Sequence, residues 1–218
     1  MIKVSNMLFH YRNNGFQLDI PTCTVLPGEK VALIGPSGTG KTTLINLIAG
    51  ILVPSSGSIE IDGLEIAGLP AEDRQDFRAV KMGLVFQEFG LLEYLNVLEN
   101  ICLPYRISPV LELDETVLER AHGLAENIGL GDKLTRYPKH LSQGERQRIE
   151  VCRALITRPA MILGDEPTGN LDPRNRDHVA ALLFDYSASS GAPLLVVTHD
   201  YDLVKQFDRT IDIEEIAS

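Results

Sequence analysis

Three short strings carry residue types whose spacing points to chemistry. The first is Gly35-Pro36-Ser37-Gly38-Thr39-Gly40-Lys41-Thr42, which fits the pattern G-x-x-x-x-G-K-[ST]. Glycines let a backbone curl so that successive N–H groups converge on an anion, and a helix starting there adds partial positive charge. The string therefore reads as a cradle for nucleotide phosphates. Lys41 is expected to reach the β- and γ-phosphates and the Thr42 hydroxyl to bind Mg²⁺. Gly35, Ser37, Gly38, Thr39, Gly40 and Thr43 belong to the same expected binding loop. The second string is Met161-Ile162-Leu163-Gly164-Asp165-Glu166, three apolar residues that deliver two carboxylates to a strand end. Ligands of open α/β sheets sit at such ends. Asp165 is suited to hold Mg²⁺, directly or through water, and Glu166 to orient and deprotonate an attacking water. Alone, the pair reads equally as an acidic turn.

The third string is Leu141-Ser142-Gln143-Gly144-Glu145-Arg146-Gln147-Arg148. Ser142 and Glu145 stand three apart ahead of the helical run Ile149 to Leu155, the spacing of a capping box. The helix start presents free N–H groups, and Gly144 permits close approach. Taken by itself, such a box marks a helix start and nothing more.

These strings need elements to position them. Val31-Ala32-Leu33-Ile34 is a short apolar run ending at glycine and reads as a buried parallel strand. A helix is expected from about Lys41 to Ala49, ended by Gly50. Ser58 to Gly63 alternates polar and apolar residues, which predicts a half-exposed antiparallel strand. Leu84-Val85-Phe86, Met161-Ile162-Leu163 and Leu194-Leu195-Val196-Val197 read as further buried strands. Between Glu88 and Arg158 helical spacing dominates, as in Val117, Leu118, Ala121, Leu124, Ala125 and Ile128. Strands alternating with helices imply a parallel α/β sheet.

Composition narrows the class. The chain has 218 residues, 44% of them apolar and 23% charged, enough to bury a core. Lys and Arg number 20 against 30 Asp and Glu, a net charge of -10, which argues against a nucleic-acid partner. Cys23, Cys102 and Cys152 are far apart and without metal spacing, so they read as buried thiols. Met1 to Asn6 reads as a strand and not as a signal peptide. No stretch approaches the roughly 18 apolar residues of a membrane span.

The third string also resembles the signature motif of the ABC ATPases, usually LSGGQ or LSGGE, and the resemblance extends over nearly the whole chain. Phe86-Gln87 resembles the family's Q-loop, Gly169-Asn170-Leu171-Asp172 its D-loop and Thr198-His199-Asp200 its switch-histidine segment, in the family's order. Tyr11 lies where the family's adenine-stacking aromatic falls, although as a single residue it also reads as a core aromatic. Gln87 alone also reads as a solvated strand-end residue, and His199 alone as a structural histidine. Glu166 to Asp172 and Leu98-Glu99-Asn100-Ile101 are most similar to the lipoprotein-releasing, macrolide-export and cell-division subgroup. Three departures stand out: Gln143 in place of a glycine, Gly164 before Asp165, and a tail, Ile211 to Ile216, without the usual D-G turn, which leaves a finished C-terminal hairpin in question.

The resemblance implies an α/β fold with a P-loop NTPase (RecA-like) core, an antiparallel β subdomain and an inserted helical subdomain. Residues 1–87 and 159–218 would form the core with its antiparallel part, and 88–158 the helical subdomain carrying the signature. It implies ATP and Mg²⁺ as ligands, with Thr42, Gln87 and Asp165 at the metal. Lys41, Gln87, Glu166 and His199 are the implied catalytic set. Tyr11, Ser142, Gly144 and Asp172 join the loop residues in binding nucleotide. It further implies a homodimer closed over ATP, each signature completing the other chain's site, and a membrane-spanning permease on a separate chain. The implied location is cytoplasmic, peripheral on the membrane face. Phe86 to Leu103, with Phe89, Leu91, Leu92, Tyr94 and Leu95, is apolar enough to suggest docking to such a permease. A regulatory membrane-tethered ATPase without transport and a non-membrane ABC ATPase are the rival readings. The acidic charge and the lack of long coiled coils disfavour the latter.

Overall fold

The computed structural model describes residues 1–11, 15–86, 90–169 and 171–217. The chain opens with strands β1 (Ile2–His10) and β2 (Gln17–Val25), then β3 (Lys30–Ile34) and helix α1 (Lys41–Ile48). β4 (Ser56–Ile61), β5 (Leu64–Glu65), α2 (Ala71–Lys81) and β6 (Met82–Val85) follow. Next come α3 (Val97–Ile101), α4 (Leu103–Ile107), α5 (Glu115–Asn127) and α6 (Gln143–Leu155). The chain then runs through β7 (Met161–Asp165), α7 (Pro173–Ser190), β8 (Leu194–Val197), α8 (Tyr201–Val204), β9 (Arg209–Asp212) and α9 (Ile213–Ile216).

Two sheets result. One is antiparallel with order β2-β1-β4-β5, the other is parallel with order β6-β7-β8-β3-β9. In the antiparallel sheet, Asp62 and Gly63 take φ of 49° and 83° between paired Ile61 and Leu64, the left-handed pair that a two-residue hairpin turn requires. The β1–β4 register shifts between Ser5 and Leu8, where Asn6 has φ 46°. The buried set of β1 changes phase there, from Ile2 and Val4 to Met7 and Phe9, as a one-residue irregularity in a period-two strand demands.

The parallel sheet is covered on both faces, as all-parallel sheets are. Along β8 the side chains alternate: Leu195 and Val197 face α1 and the antiparallel sheet, while Leu194 and Val196 face α6 and α7. α1 is wedged between the two sheets, with Leu44, Ile45, Leu47 and Ile48 fully buried. Burying each of these side chains stabilises by about 1.5–3 kcal/mol. α2 buries no residue. Its Phe77 packs half-buried against the core, and arginines complete the attachment: Arg78 Nη1 donates to the carbonyls of Gly50 (3.0 Å) and Ala49 (3.4 Å), and Arg74 Nε to Gly50 (3.2 Å), occupying carbonyls at the C-terminus of α1. A separate apolar cluster joins α3, α5 and α6 through Val97, Ile101, Ala121, Ala125, Ile149 and Cys152. The tail forms no hairpin. β9 pairs in parallel with β3 and leads into α9. Cys23, Cys102 and Cys152 are buried free thiols, as expected. Among the described residues no helix is long and apolar enough to cross a membrane.

α6 belongs to two cores. Ile149, Cys152 and Ile156 face the helical cluster, and Val151, Ala154 and Leu155 face the sheet. Its approach to β6 depends on Gly83, where a Cβ would stand 2.8 Å from the Ala154 carbonyl oxygen. Glu150, 1% exposed, lies on this helix. Burial pushes its carboxyl from 4.5 up to about 8, against the opposing pull of Arg153 and the Phe86 N–H. The folded chain thus holds a proton that the unfolded chain releases near 4.5. The stability from this group is complete below that value and is lost as pH rises through about 8. Glu150→Gln keeps the acceptor and removes the titration. Its melting temperature is expected to match the wild type near pH 5 and to exceed it by about 3 °C or more at pH 9, each kcal/mol shifting a chain of this size about 2–4 °C. A difference that does not vary with pH, in melting curves across this range, would overturn the assignment.

Candidate active site

The loop between β3 and α1 has Gly35, Gly38 and Gly40 at φ of 139°, 83° and 101°, conformations that side chains with a Cβ rarely adopt. Space adds a second constraint. A Cβ at Gly35 would lie 2.7 Å from Ile213, and one at Gly40 would lie 2.8 Å from Phe16. Side chains brace the curl from inside. Lys41 Nζ donates to the carbonyls of Gly35 (2.8 Å) and Pro36 (2.6 Å), and the Thr39 hydroxyl donates to Pro36 (2.9 Å).

β7 lies one strand away from β3, separated by β8, and carries Asp165 to the same end of the sheet. Glu166 follows at φ 52°, a left-handed setting that costs a non-glycine residue about 1–3 kcal/mol and marks functional sites. Its N–H donates to the Val197 carbonyl (3.0 Å), which ties the turn to the neighbouring strand. Its Oε2 lies 2.7 Å from His199 Nδ1. The Glu166 side chain is 17% exposed and that of His199 71%. Gly164 has a local reason: a Cβ there would press at 3.2 Å on both Pro167 and Val196.

One cleft of about 560 Å³ collects these groups. Tyr11, Phe16, Gly35, Ser37, Gly38, Gly40, Lys41, Thr42, Thr43, Asp165, Glu166, Val197 and His199 line it. Tyr11 packs edge-on against Phe9 with centroids 4.8 Å apart, and its hydroxyl is 3.3 Å from that of Thr43. The cleft thus collects aromatic rings, the phosphate loop with its lysine, and two carboxylates.

Ser142, Gly144 and Asp172 do not line this cleft. Ser142 caps α6: its hydroxyl accepts from the Glu145 N–H (3.3 Å), and Glu145 Oε2 accepts from the Ser142 N–H (2.7 Å). Lys133 pairs with the other Glu145 oxygen. Asp172 caps α7 by accepting from Arg174 and Asn175 N–H groups, both at 3.1 Å. The two helix starts are joined. Asn175 donates to Asp172 Oδ2 (2.5 Å) and accepts from Arg148 Nη1 (2.5 Å). The hydrogen bonds from Asn175 hold the Asp172 carboxyl below its usual range. Gly144 lies directly against the Asn175 amide.

A family model described as ABC transporter matches residues 18–169. The chain belongs to the ABC transporter ATPase family. It is 40% identical over 204 residues to the lipoprotein-releasing system ATP-binding protein LolD of Pseudomonas fluorescens, covering 93% of this chain and 86% of that one. It is 37% identical over 218 residues to the macrolide export ATP-binding/permease protein MacB of Rhodopirellula baltica, covering 99% of this chain and 32% of that protein. A solved dimeric ATP-binding cassette in a post-hydrolysis state, bound to ADP and Pi, matches with a TM-score of 0.87 at 30% identity, over 97% of this chain and 94% of that one. This ABC ATPase is an ATP-binding and ATP-hydrolysing subunit, and its two-sheet α/β architecture is that of the family's cassettes.

Most of the residues expected at the nucleotide meet in the ATPase's cleft. Thr39 instead turns its hydroxyl into the loop, and Gln87 lies outside the described residues. The sequence reading missed Phe16. Its only signal is position, since the Tyr11 N–H closes on the Phe16 carbonyl (3.2 Å) at the end of the first hairpin. It also missed Asn175, an ordinary polar residue in sequence. Gln143 is exposed at the first turn of α6, so this departure from the signature pattern is accommodated on the surface. The subgroup string 98–101 also has a structural reason. Buried Asn100 accepts from the Leu92 N–H and donates to the carbonyls of Leu92, Leu95 and Asn96, organising the preceding loop.

Gly144 yields a clean steric test. A Cβ there would lie 2.5–2.7 Å from the Asn175 amide atoms, while the glycine's own backbone is helical. Gly144→Ala is expected to cost about 1–3 kcal/mol, the range for overpacking. Adding Asn175→Ala should return part of that loss. Denaturant unfolding of the two single variants and the double variant measures the coupling. Simple additivity would contradict the contact.

Proposed function

We propose that this ATPase works as one half of a symmetric homodimer that closes over two ATP molecules at the cytoplasmic face of a membrane. The dimer drives a membrane-spanning permease on a separate chain, for export or extraction of a substrate or for transmission of force across the membrane. The carrying observation is a division of labour. The cleft gathers Tyr11, the phosphate loop, Asp165, Glu166 and His199, whereas the capped helix start at Ser142 and Gly144 lines none of it. A second chain gives that helix start a nucleotide to act on. The dimeric form of the solved cassette supports this pairing. In this reading residues 1–87 and 159–218 make the nucleotide-binding core and 88–158 the helical part.

Within the site, Tyr11 covers the adenine face, and Lys41 exchanges its loop carbonyls for the β- and γ-phosphates. Thr42, Asp165 and Gln87 would hold Mg²⁺. Hydroxyl, carboxylate and amide oxygens are hard donors. Among the described residues no group of three His, Cys, Asp or Glu is placed to bind a metal, which suits an ion whose shell is completed by phosphates and water. When bound, Mg²⁺ neutralises charge on the β- and γ-phosphate oxygens. Glu166 takes the proton of the attacking water while His199, bonded to its Oε2, faces the γ-phosphate. Ser142 and Gly144 of the partner close the other side, with Asp172 beside them. The γ-phosphate then has charge-assisted bonds from two chains, and its loss opens the dimer.

Docking to a permease is supported by a groove of about 320 Å³ lined by Ala79, Met82, Leu84, Leu103, Pro104 and Ile107, the last 70% exposed. Among the described residues of the segment expected to dock, Leu103 alone lines this groove. Tyr94 is exposed elsewhere, Leu91 packs on the helical cluster, and Phe89 lies outside the described residues. The names of two relatives, lipoprotein-releasing and macrolide export, support a transport role.

Glu166→Gln is expected to retain ATP binding and to slow hydrolysis by about 10²–10⁴-fold, the worth of a positioned base. ATP should then trap a dimer visible by size-exclusion chromatography. Turnover near the wild-type rate would remove Glu166 from the base role.

The dimer is tested by mixing. Lys41→Ala and Ser142→Arg chains should each be inactive alone. A mixed dimer acting in trans has one site with both defects and one with neither, so activity should return. A tethered wild-type and double-mutant pair controls for coupling between the sites. No recovery in the mixture, with that control active, would place Ser142 at its own chain's ATP.

A further inference from the structure

The ring of His199 has open space on two sides. It lines the ATP cleft and also a second cavity of about 350 Å³, shared with Pro36, Tyr201 and Glu214. Its side chain is 71% exposed, and Nδ1 lies 2.7 Å from Glu166 Oε2. Packing therefore does not fix the ring, and its setting depends on the backbone to either side. Before it, Thr198 is buried at the end of β8, and its N–H donates to the Leu33 carbonyl (3.3 Å). After it stands Asp200, whose carboxylate divides its two oxygens. Oδ1 caps α8, accepting from the N–H groups of Asp202 (2.9 Å) and Leu203 (3.1 Å). Oδ2 accepts from Arg176 Nη1 on α7 at 2.8 Å. The Asp200 N–H donates to the Thr198 hydroxyl (3.1 Å), which closes the turn around His199. Arg176 Nε donates to Asp177 (2.9 Å), so its guanidinium is held between two carboxylates. α8 has four residues, of which Leu203 is buried, and so short a helix does not hold itself. The cap alone cannot fix Asp200, whereas a bond to α7, which has 18 residues and packs on the sheet, can. The Arg176 and Asp200 side chains are 23% and 25% exposed. Pairs open to solvent add little stability, and what this one supplies is position.

We propose that Arg176 is a positioning residue that pins Asp200 to α7 and thereby sets the His199 ring against Glu166. Its effect on turnover rests on the reading of His199 as facing the γ-phosphate. The preceding residue on the same turn, Asn175, bonds to Asp172 and to Arg148 of α6. Two adjacent side chains of α7 thus reach in two directions, Arg176 to the switch histidine's turn and Asn175 to the signature helix. The histidine of a chain's own site and the helix start offered to the partner's ATP are therefore braced against one helical turn.

Arg176→Met keeps a long side chain and removes the bond. It is expected to lower kcat about 10-fold, short of the roughly 10²-fold that an ångström of misplacement can cost. Affinity for a non-hydrolysable ATP analogue, by calorimetry, should stay at the wild-type level, because Tyr11 and the phosphate loop are untouched. Arg176→Lys keeps a cation within reach of Asp200 and should return most of kcat. Position is read from the nuclear magnetic resonance spectrum of the chain labelled with carbon-13 histidine. The His199 ring signal, assigned by its loss in His199→Ala, should move in Arg176→Met, while those of His10, His122 and His140 stay. Asp200→Asn keeps the capping oxygen and loses the acceptor for Arg176, so it carries the same expectations and serves if Arg176→Met does not fold. The ring signal decides: if it is unmoved in these variants, the proposal is overturned whatever happens to kcat. His199→Ala separates the two ideas. If it lowers kcat while Arg176→Met changes neither kcat nor the ring signal, the pin is wrong and the γ-phosphate reading stands. If His199→Ala turns over at the wild-type rate, the γ-phosphate reading fails, and a ring signal that still moves in Arg176→Met supports the pin by itself.

Discussion

A loop that presents backbone N–H groups to phosphate has to leave out the side chain wherever a Cβ would fill the space or forbid the curl. Its shape has to come from its supports. Here Gly35, Gly38 and Gly40 take left-handed or related conformations. The loop springs from β3, which is paired on both sides, with β8 and β9, and runs into a helix buried between two sheets. Lys41 and Thr39 close the curl by bonding to its own carbonyls. The rest of the site is placed relative to that loop. β8 sets the spacing between the phosphate loop and the carboxylates of β7, and the Glu166 turn is tied back to β8 through Val197.

α6 is the second support, and its chemistry is mixed for a physical reason. A helix that joins two apolar clusters gains enough burial to carry polar side chains that pack at a cost. Close approach at Gly83 sets its height over β6, and Gly144 sets its height over the start of α7. Along that one helix stand the cap at Ser142, the Arg148 link to Asn175, and the Glu150–Arg153 pair that reaches Phe86 and Gly90. Elements far apart in the sequence are thus held to one rigid body, which suits a cassette whose work is to convert phosphate chemistry into movement.

The strings with fixed spacing were legible in the sequence because their function depends on local geometry. G-x-x-x-x-G-K-[ST] needs a strand before it and a helix after it, and β3 and α1 stand there. The capping box of Ser142 and Glu145 forms as the spacing dictates. The buried strands at 31–34, 161–163 and 194–197 followed from apolar runs too short for helices. Other elements left no such mark. α2 has no fully buried side chain, and much of its attachment depends on two arginines finding the end of α1, a contact that no local pattern encodes. β9 joins β3 across more than 170 residues of chain, a pairing that no local signal encodes.

What the sequence determined by itself is therefore the family, the phosphate loop, the two carboxylates and the helix start at Ser142, since residues within one turn or strand are placed by the chain's own covalent geometry. Tertiary structure alone decided which distant groups meet. It set His199 on Glu166, Phe16 beside Gly40, Asn175 under Gly144, and Glu150 on the Phe86 N–H. These contacts link residues separated by tens of positions, and ordinary residue types make them. Their meaning arises only when packing removes water and leaves each polar atom to find its partner in another element.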